Sequence, residues 1–393
     1  MRSPLWKRTL MVAAVLALAI PSHARITKLV VEHTENIADG YQKLTGHLYG
    51  ELDAKLPLNA IITDIEFAPR NARGMVEYSA TFTILRPADM SKASGVLLYL
   101  VPNRGNINMT NGGFFVDARK RGHVIVASGW QGDLDPAPNK ETMTVPVAKN
   151  PDGSSITGPA LARFTDMKEG ASTVTIMRGG VAGTADPASL DTSKATFTRR
   201  ASETGMVIPI NNADWAFADC NITPFPGKPD PRKVCLKGGF NPTYLYELVY
   251  TAKDPKVYGI GFAATRDLNS YLRYGAQDDT GTANPIAGKI TAIVSQGNSQ
   301  SGNYLRSFIH LGFNQDETGR IVFDGANPER AVRLLGMNIR FAAPSGAAEL
   351  YGPGSDGVLW WEHVPDPGRG RPAAGLLDRC RATETCQIGR AHV

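Results

Sequence analysis

Short apolar runs divided by turn signals fill the first ninety residues. Ile26–Glu32, Ala60–Phe67 and Met75–Leu85 read as strands, separated by Ala38-Asp39-Gly40 and Pro69-Arg70-Asn71. Ser94–Val101 is a continuous apolar run of the kind a buried strand needs, and it opens into Pro102-Asn103-Arg104-Gly105-Asn106. Phe114–Arg121 then reads as a short helix and His123–Ser128 as a second buried strand. Strand, loop, helix and strand at this spacing predict the start of a parallel sheet. Helical periodicity returns over residues 260–273, with Phe262, Leu268, Tyr271 and Leu272 on the apolar face. Ile290, Ile293 and Val294 mark a strand buried on both faces. A turn of small residues follows, and Leu305, Phe308, Ile309 and Gly312 recur at helical spacing after it. Arg320–Phe323 reads as one further strand.

Residues 134–250 break this rhythm. Roughly 130 residues separate the strand at 123–128 from the helix at 260–273, where a crossover needs only a dozen or so plus a helix. The stretch is rich in Thr, Pro and Gly, with candidate strands at 172–178, 195–200 and 205–210. It reads as a β-rich insertion, either a cap that shapes the substrate's approach or a separate domain without contact to the site. The chain thus divides into residues 1–24, a leader; 25–133 and 251–387, two parts of one α/β core; and 134–250, the insertion.

Composition narrows the function classes. The 393 residues are 42% hydrophobic and 20% charged, with 40 Gly and 26 Pro, as in a globular, loop-rich chain. The formal charge is +5, but Arg2, Lys7 and Arg8 lie in the leader, which leaves +2 (five less three) for the rest. No Lys/Arg run stands out, so nucleic acid and anionic membrane surfaces are poorly supported as partners. Residues 1–24 join a basic start to the apolar run Leu10–Ile20, then Pro21 and Ser22-His23-Ala24, as a cleaved secretory signal does. Eleven apolar residues fall short of the ~20 that span a bilayer. The mature chain is therefore expected to be secreted or periplasmic, with no membrane attachment after cleavage. Four cysteines fit an oxidising compartment. Cys220–Cys235 and Cys380–Cys386 are the simplest of three pairings, and no CxxC or histidine couple favours zinc.

The candidate chemistry sits in Gly297-Asn298-Ser299-Gln300-Ser301-Gly302. A serine nucleophile at a strand-to-helix elbow has strained backbone angles, so the residues two before and two after it must be small. Gly297 and Ser301 meet this around Ser299; around the rival Ser301 the partners would be Ser299 and Asn303, a poorer frame. The N–H of Gln300, at the helix start, would supply half of an oxyanion hole. The loop at Arg104 and Gly105 would supply the other half, although alone it reads better as an ordinary turn and only beside the elbow as well as either. Trp130, at the next strand end, suits either a pocket wall or the core.

Taken together, Ala68-Pro69-Arg70-Asn71, Asn103-Arg104-Gly105-Asn106, Ser128-Gly129-Trp130-Gln131-Gly132-Asp133, Gly297-Asn298-Ser299-Gln300-Ser301-Gly302 and Phe323-Asp324-Gly325-Ala326-Asn327 resemble a family of secreted α/β-hydrolase-domain proteins. The likeness runs from about residue 25 to 387. It implies an alpha/beta-hydrolase fold, a mainly parallel sheet with flanking helices, and serine chemistry at Ser299 without a cofactor or a named substrate. Members of that family continue well beyond this length, so the last strands are expected to be missing.

On this fold the acid and the histidine follow the serine. His310 lies about 16 Å down the nucleophile's own helix at 1.5 Å per residue, too far to act as base. His363 is the candidate base and Asp324 the candidate acid, against packing or surface roles for both. His392 falls in Ile388–Val393, which reads as a non-native tail. The expectation is a secreted serine hydrolase cleaving a small ester or related acyl bond, inactive or nearly so as this chain. The rivals are a non-catalytic binding protein on the same fold and an acyltransferase.

Overall fold

The computed structural model describes residues 25–110, 112–165, 167–178, 181–182, 185–342, 358 and 360–386. The leader, the 388–393 tail and His392 lie outside them. The core sheet is built from β1 (Arg25–Ile37), β2 (Tyr41–Leu52), β3 (Val76–Pro87), β4 (Val96–Leu100), β5 (Val124–Ser128), β6 (Ala292–Asn298) and β7 (Gly325–Glu329). Their spatial order is β1-β2-β3-β5-β4-β6-β7. β1 to β3 run antiparallel to their neighbours, and β5, β4, β6 and β7 run parallel to one another.

Two helices cover one face of this sheet. They are α2 (Ile260–Tyr274) and α3 (Gln300–His310), whose Phe262, Leu268, Tyr304, Leu305 and Phe308 join Leu97, Tyr99, Val124 and Ile293 in the main core. α1 (Gly113–Lys120) covers the other face, where Met109 and Ala118 pack with Leu85, Ile125 and Ala127. The parallel strands therefore have apolar residues on both faces, as helices on both sides require.

The insertion carries its own core. Thr157–Phe164, Leu245–Lys253, Thr196–Arg200 and Ile208–Pro209 form a four-stranded antiparallel sheet, and Trp215–Ala216, Lys233–Leu236 and Thr173–Thr175 a three-stranded one. Phe164, Phe197, Trp215, Phe240 and Tyr246 fill the space between with rings 5.0 to 6.5 Å apart. Both expected disulfides are present, Cys220–Cys235 in the insertion and Cys380–Cys386 at the short helix α4 (Asp378–Ala382).

Three expectations need correcting. Ala60–Phe67 is not a strand: Pro57 opens a helical turn at Pro57–Ala60, and a 3-10 turn follows at Ile65–Phe67. Ile62 and Ile65 are both buried because three residues bring them to the same side of a turn. β2 went unread, yet Leu44 and Leu48 point inward from a regular ladder with β1 and β3. Arg320–Phe323 is not a strand either. The backbone N–H groups of Val322 and Phe323 donate to the Asn314 carbonyl (3.0 Å) and side chain (2.9 Å), so the strand begins only at Gly325.

A buried ion network joins α2 to the rest. Arg266, fully buried, donates to Asp267 (2.7 Å), Glu317 (3.2 Å) and the Asn59 side-chain carbonyl (3.0 Å), and the Tyr78 hydroxyl donates to Asp267 (3.2 Å). Removing one member of such a network strands the others' charge in the core. Arg266→Ala is expected to lower unfolding free energy by about 3–5 kcal/mol in urea titration; a loss under about 1 kcal/mol would mean the network contributes little.

Candidate active site

Three adjacent parallel strands end together at the site. β6 carries the chain to Ser299, whose φ of 59° and ψ of −116° turn it sharply into α3. Such angles are costly for a residue with a Cβ, on the order of 1–3 kcal/mol. The surrounding hydrogen bonds hold them in place. The Ser299 N–H donates to the Glu329 carbonyl (2.9 Å), and the Ser299 carbonyl accepts from the Asn303 N–H (2.9 Å). The turn is tight enough that a Cβ at Gly297 would sit 2.4 Å from the Ser301 carbonyl oxygen, so only glycine fits there.

Ser299 is exposed while Ser301 is fully buried, its hydroxyl without a hydrogen-bond partner among the described residues. Only the first can meet a substrate. Gln300 opens α3, so its backbone N–H lies at the positive end of the helix dipole.

The loop after β4 lies beside this turn. The β4–β6 ladder continues through the Val101 N–H to the Gln296 carbonyl (2.9 Å), and the Asn103 side chain donates to the Asn298 carbonyl (2.9 Å). Arg104 (φ 50°) and Gly105 (φ 76°) are both left-handed. The Glu141 N–H donates to the Gly105 carbonyl (2.7 Å), and a Cβ on Gly105 would lie 2.6 Å from the Glu141 carbonyl oxygen. Trp130 belongs to the core: fully buried, it donates from Nε1 to the Pro102 carbonyl (2.8 Å) and packs on Tyr304 at 4.4 Å. It thus braces the loop from behind.

Asp324 is placed away from this cluster. It precedes β7, and its carboxylate binds Arg273 and the Ile293 N–H (2.7 Å) at the start of β6. Six residues of strand, about 20 Å at 3.3 Å each, separate that point from Ser299. The acid at the elbow end is Glu329, whose carboxylate accepts from Gln296, Asn298 and Asn327 amides at 3.0 to 3.1 Å. His363, just before a two-stranded hairpin, makes its hydrogen bond to Asp378 (2.9 Å) rather than to Ser299. The neighbouring Trp361 lies 5.0 Å from the Arg306 guanidinium, two turns along α3. His310 ends α3, where burial holds its imidazole below the usual histidine range. Two concavities, one beside Tyr271 and Asp316 and one beside Tyr49 and Pro69, involve none of these residues.

Residues 214–354, from the middle of the insertion through the elbow and beyond β7, match the family model of an alpha/beta hydrolase domain. That stretch is similar to an alpha/beta hydrolase domain. No curated protein and no solved structure matches the chain. The hydrolase domain suggests a hydrolase-type function, and its sheet mixes antiparallel and parallel strands with helices on both faces.

The Glu141 backbone braces the loop after β4, and its buried side chain gives the fold a pH dependence. Burial pushes the Glu141 carboxyl up, against hydrogen bonds from the Thr81 and Thr83 hydroxyls. A carboxyl raised on folding favours its protonated form. Its contribution to stability is therefore present at low pH and lost as pH rises above the ordinary glutamate range near ~4.3. Wild type should lose stability relative to Glu141→Gln between pH 4 and 8 in urea titrations; parallel curves would refute this. For Asp324→Ala the expected loss is about 1–3 kcal/mol, from a half-buried Arg273 left without its partner. Thermal melts check it, and an unchanged Tm would count against the pairing.

Proposed function

We propose that this protein is a secreted serine hydrolase acting on a carboxylic ester or related acyl bond. The observation that carries the reading is Ser299, an exposed serine in strained geometry between a parallel strand and a buried helix. Its Oγ attacks the carbonyl carbon, forming the acyl–oxygen bond as the electron pair moves onto the carbonyl oxygen. The N–H of Gln300, with those of Arg104 or Gly105 across the turn, would hold that oxyanion. The tetrahedral centre then expels the alcohol, which takes up a proton, and water repeats the sequence to release the acid.

The proton of Ser299 must pass to a base. Of the histidines in the described residues, His33 sits on the edge strand β1, His47 on β2 bonds Glu32, His123 bonds Ser94 before β5, and His310 and His363 are held as above. Glu329, not Asp324, has the position from which an acid would orient a histidine at this elbow. Secretion is part of the reading. Two disulfides, and the lack of a helix long and apolar enough to cross a membrane among the described residues, are compatible with it.

A fluorophosphonate probe tests the assignment, because it reacts with activated serines without needing the natural substrate. The expected result is a single adduct, mapped by peptide mass to Ser299 and absent from Ser299→Ala. Folded protein that takes up no probe, or an adduct on Ser301, would overturn the reading.

A further inference from the structure

Each of the three parallel strands that meet at the site ends in a left-handed residue that is not glycine. They are Arg104 after β4 (φ 50°), Ser299 after β6 (φ 59°) and Arg330 after β7 (φ 49°). Glycine would occupy such a position at lower cost, so a long cationic side chain kept there calls for a reason. Position supplies one for Arg330. Asn298 pairs with Glu329 in the parallel register, so the next step along both strands sets Arg330 beside Ser299. One strand spacing is about 4.8 Å.

The side chain is also available. Arg330 is exposed and makes no ion pair among the described residues. The nearest carboxylate in sequence, Glu329, is turned onto the amides of Gln296, Asn298 and Asn327. On the other flank, Arg104 is exposed as well. A guanidinium presents a planar pair of N–H donors that matches a carboxylate.

We propose that Arg330 is a specificity-determining residue, and that the preferred substrates are esters bearing a free carboxylate within an arginine's reach of the scissile bond. This rests on Ser299 being the nucleophile. The carboxylate would be bound in the ground state and the acylation step would proceed as above, with the same bonds formed and broken. The interaction raises the fraction of bound ester correctly oriented at Ser299.

The test uses matched esters with the full chain in excess, so that a single acylation is read as phenol release. One pair carries the charge on the leaving group: 4-acetoxybenzoate against its methyl ester. The other carries it on the acyl group: the mono-phenyl ester of terephthalic acid against the phenyl methyl diester. The expected result is a charged-over-neutral preference in at least one pair. Arg330→Gln should cut that ratio about tenfold, the scale of one hydrogen bond to a charged group. Arg330→Lys should keep part of it, and added salt should weaken it. Arg330→Gly adds a control for folding: it should lose the preference while melting at the wild-type temperature or above, since glycine accepts the left-handed angle. Equal rates within both pairs, or a ratio unmoved in Arg330→Gln, would overturn this inference and leave the hydrolase reading standing. No release from any ester, together with no fluorophosphonate adduct on Ser299, would overturn both.

Discussion

The hydrogen bond from the Ser299 amide to the Glu329 carbonyl is the contact on which the site depends. It extends the parallel ladder one residue past the end of β6, into a position where the backbone has already left the extended region. An unsupported serine would relax out of φ 59° and ψ −116°. It stays because the turn is fixed from three sides. Asn103 holds Asn298 from β4, Glu329 holds both Ser299 and the Asn298 side chain from β7, and the first turn of α3 takes the Ser299 carbonyl. Each bond contributes on the order of 1 kcal/mol. Together they match the strain, and that balance lets an exposed serine be rigid.

That arrangement explains what was readable in the sequence. The elbow was legible because its requirements are local: Gly297 for space, small residues around Ser299, an apolar run before and helical spacing after. α1, α2 and β5 were legible for the same reason. The partners across the turn were not. Asn103 reaches Asn298 from 195 residues away and Glu329 reaches Ser299 through a parallel pairing, and no local pattern of sequence announces either contact. β7 was also displaced by its own composition. Pro328 and Asn327 are poor strand residues, so the apolar Val322 and Phe323 looked like the strand instead. Proline is tolerated because β7 lies at the sheet edge among the described residues. Moving the strand by five residues moved the candidate acid from its start, Asp324, to its end, Glu329.

The other misreadings have a similar origin. Ala60–Phe67 has strand composition, but Pro57 sets a helical angle just before it and tertiary packing needs Ile62 and Ile65 on one side. β2 contains Gly46 and Gly50, which lower strand propensity, while its place in the sheet is secured by twelve residues of pairing with β3. Propensity lost to long-range contact in both places. The insertion was recognisable as β-rich from composition alone. The ring cluster around Phe197 that makes it a packed unit was not, because its members come from positions 164 to 246.

Charge at the strand ends follows from the same geometry. Glu329 and Arg330 are consecutive, so the chain presents opposite charges at neighbouring points of one rim. A salt bridge between them would cancel both. The amides of Gln296, Asn298 and Asn327 prevent it by taking the Glu329 carboxylate, and neutral donors leave its charge intact. The chain turns left-handed at Arg330, whose side chain is exposed. The elbow is thus bordered by a fixed anion in the plane of the sheet and a cation at the solvent edge. On the proposed reading, a histidine approaching the serine would meet the first, and a charged ester the second.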